Sequence, residues 1–297
     1  MEHKSRSVII PNTLLEDITG LMPSLATIPS LSGFFKFTAG QNFLLFSPTP
    51  VMQHAVIVLP PFAEEMNKSR HIFKQLFNKL AEQNQYGFML DNYGTGDSEG
   101  DLDQASITLW RADLELLIQQ IANWGFLTIS FISLRFGTLQ LFDLLNHYKL
   151  PLPIKQVVLW QPMFDPARFW QQFCRIKVAE AMANGDKVSQ KQIEQQLEQG
   201  DIIEIAGYPI NLAFYKSVQH INATLPSVLT KAQLSWFELS MLDNIAIPVQ
   251  NMRENLVSKY SLNFKQIKAD AFWQTTELAS ADELIALTVQ QLVGAEQ

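Results

Sequence analysis

The stretch that most constrains this chain runs from residue 126 to residue 147. Residues 126–133 are β-branched and aromatic apart from a leucine and two serines, too apolar to face water on either side, as in the centre of a parallel sheet. Ser133-Leu134-Arg135-Phe136-Gly137 follows, with small residues two before and two after Arg135. Residues 138–147 then carry the pattern of an amphipathic helix. A strand that turns sharply into a helix leaves no room for large side chains at the two flanking positions. The chain therefore places a guanidinium at the apex of a turn that demands a strained backbone and a close helix.

That spacing is the spacing of a nucleophile elbow, whose central residue in an α/β-hydrolase is normally Ser, Cys or Asp. The rest of the chain agrees with an α/β-hydrolase fold. Buried strands are predicted at 55–59, 87–91, 126–133 and 154–160, and helices at 67–84 and 106–123, with Ser106 placed to cap the second. This alternation predicts a mostly parallel, doubly wound sheet. A hairpin about Ala39-Gly40 opens it, strands at 233–240 and 263–267 complete it, and a helix at 282–293 closes the chain. Between 162 and 225 the rhythm stops. An aromatic helix at 164–178, a Gln-rich helix at 189–198, the segment 200–208 and a further short helix read as an inserted helical cap. Such a cap lies over the carboxyl edge of the sheet, where ligands bind in these folds. The expected organisation is a loose N-terminal extension at 1–31, a core of 32–161 and 226–297, and a cap at 162–225.

Bulk properties narrow the function classes. The 297 residues suffice for one large α/β domain with an insertion, and 47% hydrophobic residues imply a sizeable core. The formal charge of −7, with basic residues dispersed, argues against nucleic acid as a partner. Cys174 is the only cysteine, which excludes an internal disulfide and fits a reducing compartment. The first residues lack the apolar core of about 7–15 residues that a secretory signal needs. No stretch reaches the ~18 apolar residues of a membrane span. The expectation is a cytoplasmic protein without a membrane span. No cofactor is expected, and no pair among the five histidines has metal-ligand spacing.

A literal G-x-S-x-G occurs at Gly96-Asp97-Ser98-Glu99-Gly100, but it lies in a long polar loop rather than between a strand and a helix. With Asp91-Asn92-Tyr93-Gly94 before it, it matches the Gly-rich turn after the fourth strand of many α/β-hydrolases, a compact loop whose glycines are free to take positive φ. In this fold the order is nucleophile, acid, histidine, with the histidine after the last strand. None of His3, His54, His71, His147 and His220 lies there, and the sequence at that place reads Ala271-Phe272-Trp273-Gln274. Asp243 occupies about the right place for the acid and is equally an exposed loop aspartate. Losing the nucleophile alone costs on the order of 10⁶ in rate in enzymes built this way. Ordinary serine-hydrolase chemistry is therefore not expected.

The loop after the 55–59 strand, Pro60-Pro61-Phe62-Ala63-Glu64-Glu65-Met66-Asn67-Lys68-Ser69-Arg70, is unusually charged for its position. One reading pairs Glu64 or Glu65 with Arg135, because an uncompensated guanidinium at the pocket floor would cost several kcal/mol. The other places the acids at a helix N-terminus, where they favour the dipole, and turns the bases to solvent. Alternatively, Arg135 holds a ligand carboxylate or phosphate. The candidate catalytic residues are thus Arg135, Glu64 and Glu65. The candidate pocket comprises Phe62, Ala63, Ser69, Leu134, Phe136, Trp160, Gln161, Tyr208 and Trp273. Phe164, Phe169, Trp170 and Phe173 form an aromatic stripe that lines the same pocket or belongs to the core.

The run from Pro60 to Arg70 resembles the second of the two exosortase A system-associated hydrolases, α/β-hydrolase-like proteins encoded alongside exosortase and exopolysaccharide genes in Gram-negative bacteria. The resemblance extends through 91–100, 133–137, 158–162, 203–208 and 272–275, nearly the whole chain beyond the N-terminal extension. The Pro-Pro-Phe-Ala-Glu-Glu-Met run is its specific part. Arg at the elbow resembles the family pattern too. The resemblance implies a cytoplasmic accessory of an envelope-protein sorting (PEP-CTERM) and exopolysaccharide system, with no substrate implied. Two functions stay open. One is a hydrolase of an ester, thioester or similar acyl substrate, using Glu64, Glu65, Asp97 or Ser69 with Arg135 as an electrostatic clamp. The other is a non-catalytic pseudoenzyme that binds an anionic small molecule or a partner protein.

Overall fold

The computed structural model describes residues 8–13, 31–47, 53–275 and 279–294, and for 8–13 the backbone alone. Among the described residues the main sheet has nine strands: β1 (Val8–Thr13), β2 (Leu31–Lys36), β3 (Gln41–Ser47), β4 (His54–Leu59), β5 (Tyr86–Leu90), β6 (Thr128–Leu134), β7 (Ile154–Trp160), β10 (Gln233–Leu239) and β11 (Leu262–Ile267). Their spatial order is β1-β2-β3-β5-β4-β6-β7-β10-β11. All neighbours run parallel except that β3 is antiparallel to β2 and to β5. This is the mostly parallel, doubly wound sheet of an α/β-hydrolase, with β2–β3 as the opening hairpin.

Strand parity builds the layers. In β4, Ala55, Ile57 and Leu59 face one core, whereas Val56 and Val58 face the other. In β6, Ile129 and Phe131 share the first core, and Ile132 and Leu134 the second. Strands buried on both faces read as continuous apolar runs, which is why these segments show no alternation in the sequence. The first core is covered by α2 (Ile107–Asn123), α3 (Phe136–His147) and α7 (Ile247–Val257). The second is covered by α1 (Glu64–Glu82) and α8 (Asp282–Gly294). Ser106 caps α2 as expected, accepting from the Leu109 amide at 3.1 Å.

The inserted cap holds α4 (Pro166–Ala183), α5 (Gln190–Gln199), the two-stranded hairpin β8 (Ile203–Ile205) and β9 (Tyr208–Ile210), and α6 (Leu212–Gln219). These elements share a third apolar cluster, which takes in Phe62 and Phe136 from the core domain. Asp165 accepts from the Ala167 and Arg168 amides at the start of α4, and Ser189 forms a capping box with Gln192 at the start of α5.

Two elements depart from the sequence reading. Within the expected N-terminal extension, Val8–Thr13 pairs in parallel with β2 and so adds an edge strand. Of the rest of that segment, 1–7 and 14–30 lie outside the described residues, and Leu31 begins β2. The second is α7, which carried no helical signal because Leu256 is its one fully buried side chain. No helix among the described residues is long and apolar enough to cross a membrane.

The chain crosses from one side of β4 to the other between β5 and β6, so the crevice of the sheet opens at the carboxyl ends of β4 and β6. Gly137 makes that junction possible. A Cβ there would lie 2.2 Å from the Leu59 carbonyl oxygen. Gly137→Ala is therefore expected to destabilise the fold by about 3 kcal/mol, as overpacking against fixed backbone does, read by urea unfolding.

A pH effect follows from His54, which opens β4 and is 7% exposed, its Nδ1 2.8 Å from Thr128 Oγ1. Burial, and secondarily the charge of Lys155, pushes its pKa down from 6.5 to about 4. The unfolded chain thus binds a proton that the folded chain refuses. The stability His54 contributes is complete above pH 6.5 and is lost as pH falls towards 4, on the order of 3 kcal/mol in all. His54→Gln should remove that part of the acid sensitivity, measured as the wild-type minus variant unfolding free energy at pH 7 and pH 4.

Candidate functional site

Two left-handed turns face each other at the crevice. After β4 the chain passes Pro60 and Pro61 and enters α1 at Ala63, with φ 54° and ψ −126°. After β6 it enters α3 at Arg135, with φ 52° and ψ −111°. Both are positive-φ positions occupied by residues other than glycine, each costing of order 1–3 kcal/mol unless the surroundings hold them. At Arg135 the surroundings do. Its amide donates to the Trp160 carbonyl at 3.0 Å, and its own carbonyl accepts from Thr138 at 3.0 Å and Met163 at 3.2 Å. The hydroxyls of Ser133 and Thr138 share a hydrogen bond of 2.9 Å beneath the turn.

The side chain at the apex is committed. Arg135 Nε donates to both oxygens of Glu65, at 3.0 and 2.9 Å, and Nη2 donates to Gln172 Oε1 of α4 at 3.1 Å. The guanidinium also lies 5.5 Å from the Trp273 ring centroid, a cation–π distance. Of the two candidate acids, Glu65 is the one that turns inward. Glu64 stays exposed, accepting from Asn67 at 3.0 Å and from the Tyr208 hydroxyl of β9 at 3.4 Å. Burial pushes the Glu65 carboxyl above the usual carboxylate range, and the charge and hydrogen bonds of Arg135 pull it back.

A second carboxylate near Arg135 comes from Glu238 in β10. Its oxygens accept from Gln161 Nε2 and Trp236 Nε1, each at 2.9 Å. Burial raises its pKa, and those two donors and then Arg135 oppose the shift. Asp243, at the approximate place of a triad acid, is instead a surface residue with a 92% exposed side chain, 3.4 Å from Lys268. Trp273 stands after β11, where the sequence lacked a histidine.

Ser98 is structural. Its hydroxyl donates to the Asp91 carbonyl at 2.7 Å and accepts from the Phe43 amide at 2.9 Å. The loop around it closes on the Arg70–Asp91 ion pair, and a Cβ at Gly96 would strike Asp91 Oδ2 at 2.2 Å. Asp97 belongs to the same loop, 3.5 Å from Arg70 and 58% exposed.

Beside the Arg135–Glu65 pair opens a cleft of about 500 Å³. Phe62, Phe169, Phe173 and Ile176 line its apolar wall, Trp273 and Arg135 its floor, and Lys68 and Arg175 supply basic groups. Of the pocket residues read from sequence, Phe62, Ala63 and Trp273 line this cleft. Tyr208 lines a separate recess of about 170 Å³ against the glycine loop.

The others lie elsewhere. Leu134 and Trp160 belong to the core under α1 and α8, where Trp160 Nε1 donates to Thr288 Oγ1 at 2.9 Å. Their strand parity turns them to that face. Ser69 is buried and donates to the Glu65 carbonyl at 2.6 Å, a bond back along the helix. Phe136 packs behind the wall, 4.4 Å from Phe169 between ring centroids, and Gln161 braces Glu238 and the Leu239 amide. Of the aromatic stripe, Phe169 and Phe173 line the cleft while belonging to the cap core, Trp170 is core, and Phe164 packs on Phe142 and Trp236.

Gln172, Arg175 and Glu238 were not found by sequence reasoning. Glu238 left one usable signal, the lone carboxylate in the strand Gln233–Leu239. Among the described residues, no group of three His, Cys, Asp or Glu side chains is placed to hold a metal ion.

No protein-family model matches the sequence, and no curated protein matches it. Solved structures match over most of the chain. The structure of 2-hydroxy-6-oxo-6-phenylhexa-2,4-dienoate hydrolase from Rhodococcus sp. strain RHA1 is 14% identical with a TM-score of 0.57, covering 89% of this chain and 98% of that one. Est1E from Butyrivibrio proteoclasticus, solved with ferulic acid bound, is 13% identical with a TM-score of 0.54, covering 87% and 96%. Alpha/beta hydrolase domain-containing protein 10 from mouse is 11% identical with a TM-score of 0.54, covering 90% and 99%. At these identities the likeness establishes the α/β-hydrolase fold.

Removing Arg135 would leave Glu65 beneath the cleft without its cation. Arg135→Ala is expected to destabilise the protein by about 3 kcal/mol, measured by urea unfolding at pH 7. A loss within about 0.5 kcal/mol would show the pair to be solvated and energetically idle.

Proposed function

We propose that this chain is an α/β-hydrolase-fold protein that uses the cleft for binding and does not run serine-hydrolase chemistry. The observation that carries this reading is the apex of the elbow. The place of a nucleophile holds Arg135, closed onto both oxygens of Glu65, while a cleft stays open beside it. Neither Ser98 nor Ser69 is among the residues that line that cleft, and both spend their hydroxyls on backbone carbonyls. The charged rim supports an anionic small molecule as the occupant. The sequence resemblance supports a setting as a cytoplasmic accessory of an exosortase A (PEP-CTERM sorting and exopolysaccharide) system.

A second reading keeps catalysis. The elbow backbone is intact, with Gly137 tight against Leu59, and a guanidinium near a cleft is the kind of group that stabilises developing negative charge. On that reading the protein hydrolyses an ester or other acyl bond through an unconventional site in which Arg135 is the electrostatic clamp and Glu65 its partner.

One experiment separates the two. A fluorophosphonate probe is expected to label no serine, and p-nitrophenyl acyl esters are expected to turn over at the uncatalysed rate. Labelling at Ser98 or Ser69 would overturn the binding reading. Ester turnover abolished by Arg135→Ala would establish the second reading.

A further inference from the structure

We infer that the cleft takes an amphipathic monoanion, a carboxylate joined to an aromatic or aliphatic body, and that Arg175 and Lys68 hold its acid group in place of Arg135. This rests on the binding reading above and assigns the ligand class and its anchors.

Arg135 is the obvious anion holder and is already occupied, with Nε given to Glu65 and Nη2 to Gln172. The other two cations lining the cleft are differently placed. Among the described residues, the Arg175 side chain makes no hydrogen bond or ion pair, and the Lys68 side chain donates only to the Gln274 carbonyl, at 3.2 Å. Neither has a carboxylate oxygen within 4.0 Å among the described residues. Gln172, Arg175 and Ile176 stand at i, i+3 and i+4 of α4, so they share one face of that helix. The contact of Gln172 with Arg135 fixes that face towards the cleft and carries Arg175 one turn along it.

The charge count favours a single acid. Among the described residues that line the cleft, Lys68, Arg135 and Arg175 outnumber Glu64 and Glu65 by one charge, with Glu238 set behind them on Gln161 and Trp236, on a chain whose formal charge is −7. One carboxylate neutralises that excess. A second negative charge would be uncompensated and would meet Glu64. A planar guanidinium fork also matches a carboxylate.

The apolar wall accounts for the rest of the ligand. Ile176 is 45% exposed where it lines the cleft beside Phe169 and Phe173, so apolar surface stays in water until something covers it. The volume falls within the range of small-molecule sites.

The test is titration calorimetry at pH 7.5 with three probes sharing one body: 6-phenylhexanoate, its methyl ester and 6-phenylhexyl phosphate. The carboxylate is expected to bind at least tenfold more tightly than the ester or the phosphate, which is mostly a dianion at that pH. Arg175→Gln and Lys68→Gln should each weaken the carboxylate about tenfold and leave the ester unchanged. Equal affinity for acid and ester, unchanged affinity in both variants, or no binding of the carboxylate would each overturn the assignment. Enzymatic cleavage of the methyl ester would defeat the non-catalytic reading instead, while the affinity of the carboxylate would still decide this one.

Discussion

The rest of the site depends on burying a guanidinium at the apex of the elbow. A positive-φ turn points the Arg135 side chain away from solvent, where an isolated charge would cost several kcal/mol. Glu65 meets that requirement because α1 begins immediately after a second positive-φ residue, Ala63, across the crevice. The two strained turns and the ion pair between them form one unit. The turns aim the charges at each other, and the pair gives the turns a reason to persist.

That unit also anchors the cap. Phe62 and Phe136, each next to one of the strained residues, belong to the cap's apolar cluster, and Phe62 packs on Trp110, Phe169, Phe173 and Phe214. Gln172 of α4 reaches down to Arg135, and Tyr208 of the β8–β9 hairpin reaches Glu64. The cap therefore rests on residues that flank the ion pair, and the cleft lies where this contact stays incomplete. A change at Arg135 would be felt in the sheet, in α1 and in the cap together, because all three meet there.

The backbone keeps the features that place a nucleophile in an α/β-hydrolase, including the close approach of Gly137 to Leu59. The nucleophile's place holds Arg135, paired with Glu65, the acid's place holds the exposed Asp243, and Trp273 stands where a histidine would. A shared fold does not carry a shared reaction with it. The matching hydrolase structures at 11–14% identity establish the architecture, while the side chains at the elbow suggest what the cleft does.

Much of this was readable in the sequence for definite reasons. Continuous apolar runs marked the central strands, a five-residue pattern of small and large side chains marked the elbow, and the loop at 60–70 offered Glu64 or Glu65 as a partner for Arg135, beside the alternatives of a plain helix start and a bound anion. The choice of Glu65 needed the tertiary structure, because it follows from where α1 starts after Ala63. Leu134 and Trp160 were assigned to the pocket and belong to the opposite core. In strands buried on both faces no polar alternation records which way each side chain points. Gln172, Arg175 and Glu238 reach the site from segments 37 to 103 residues beyond Arg135, through the packing of α4 and the pairing of β10 with β7. The sequence by itself determined that a charge would be buried at this turn. Only the tertiary structure decided which groups compensate it and which cations remain for a ligand, because those partners are brought together by long-range packing that no local pattern encodes.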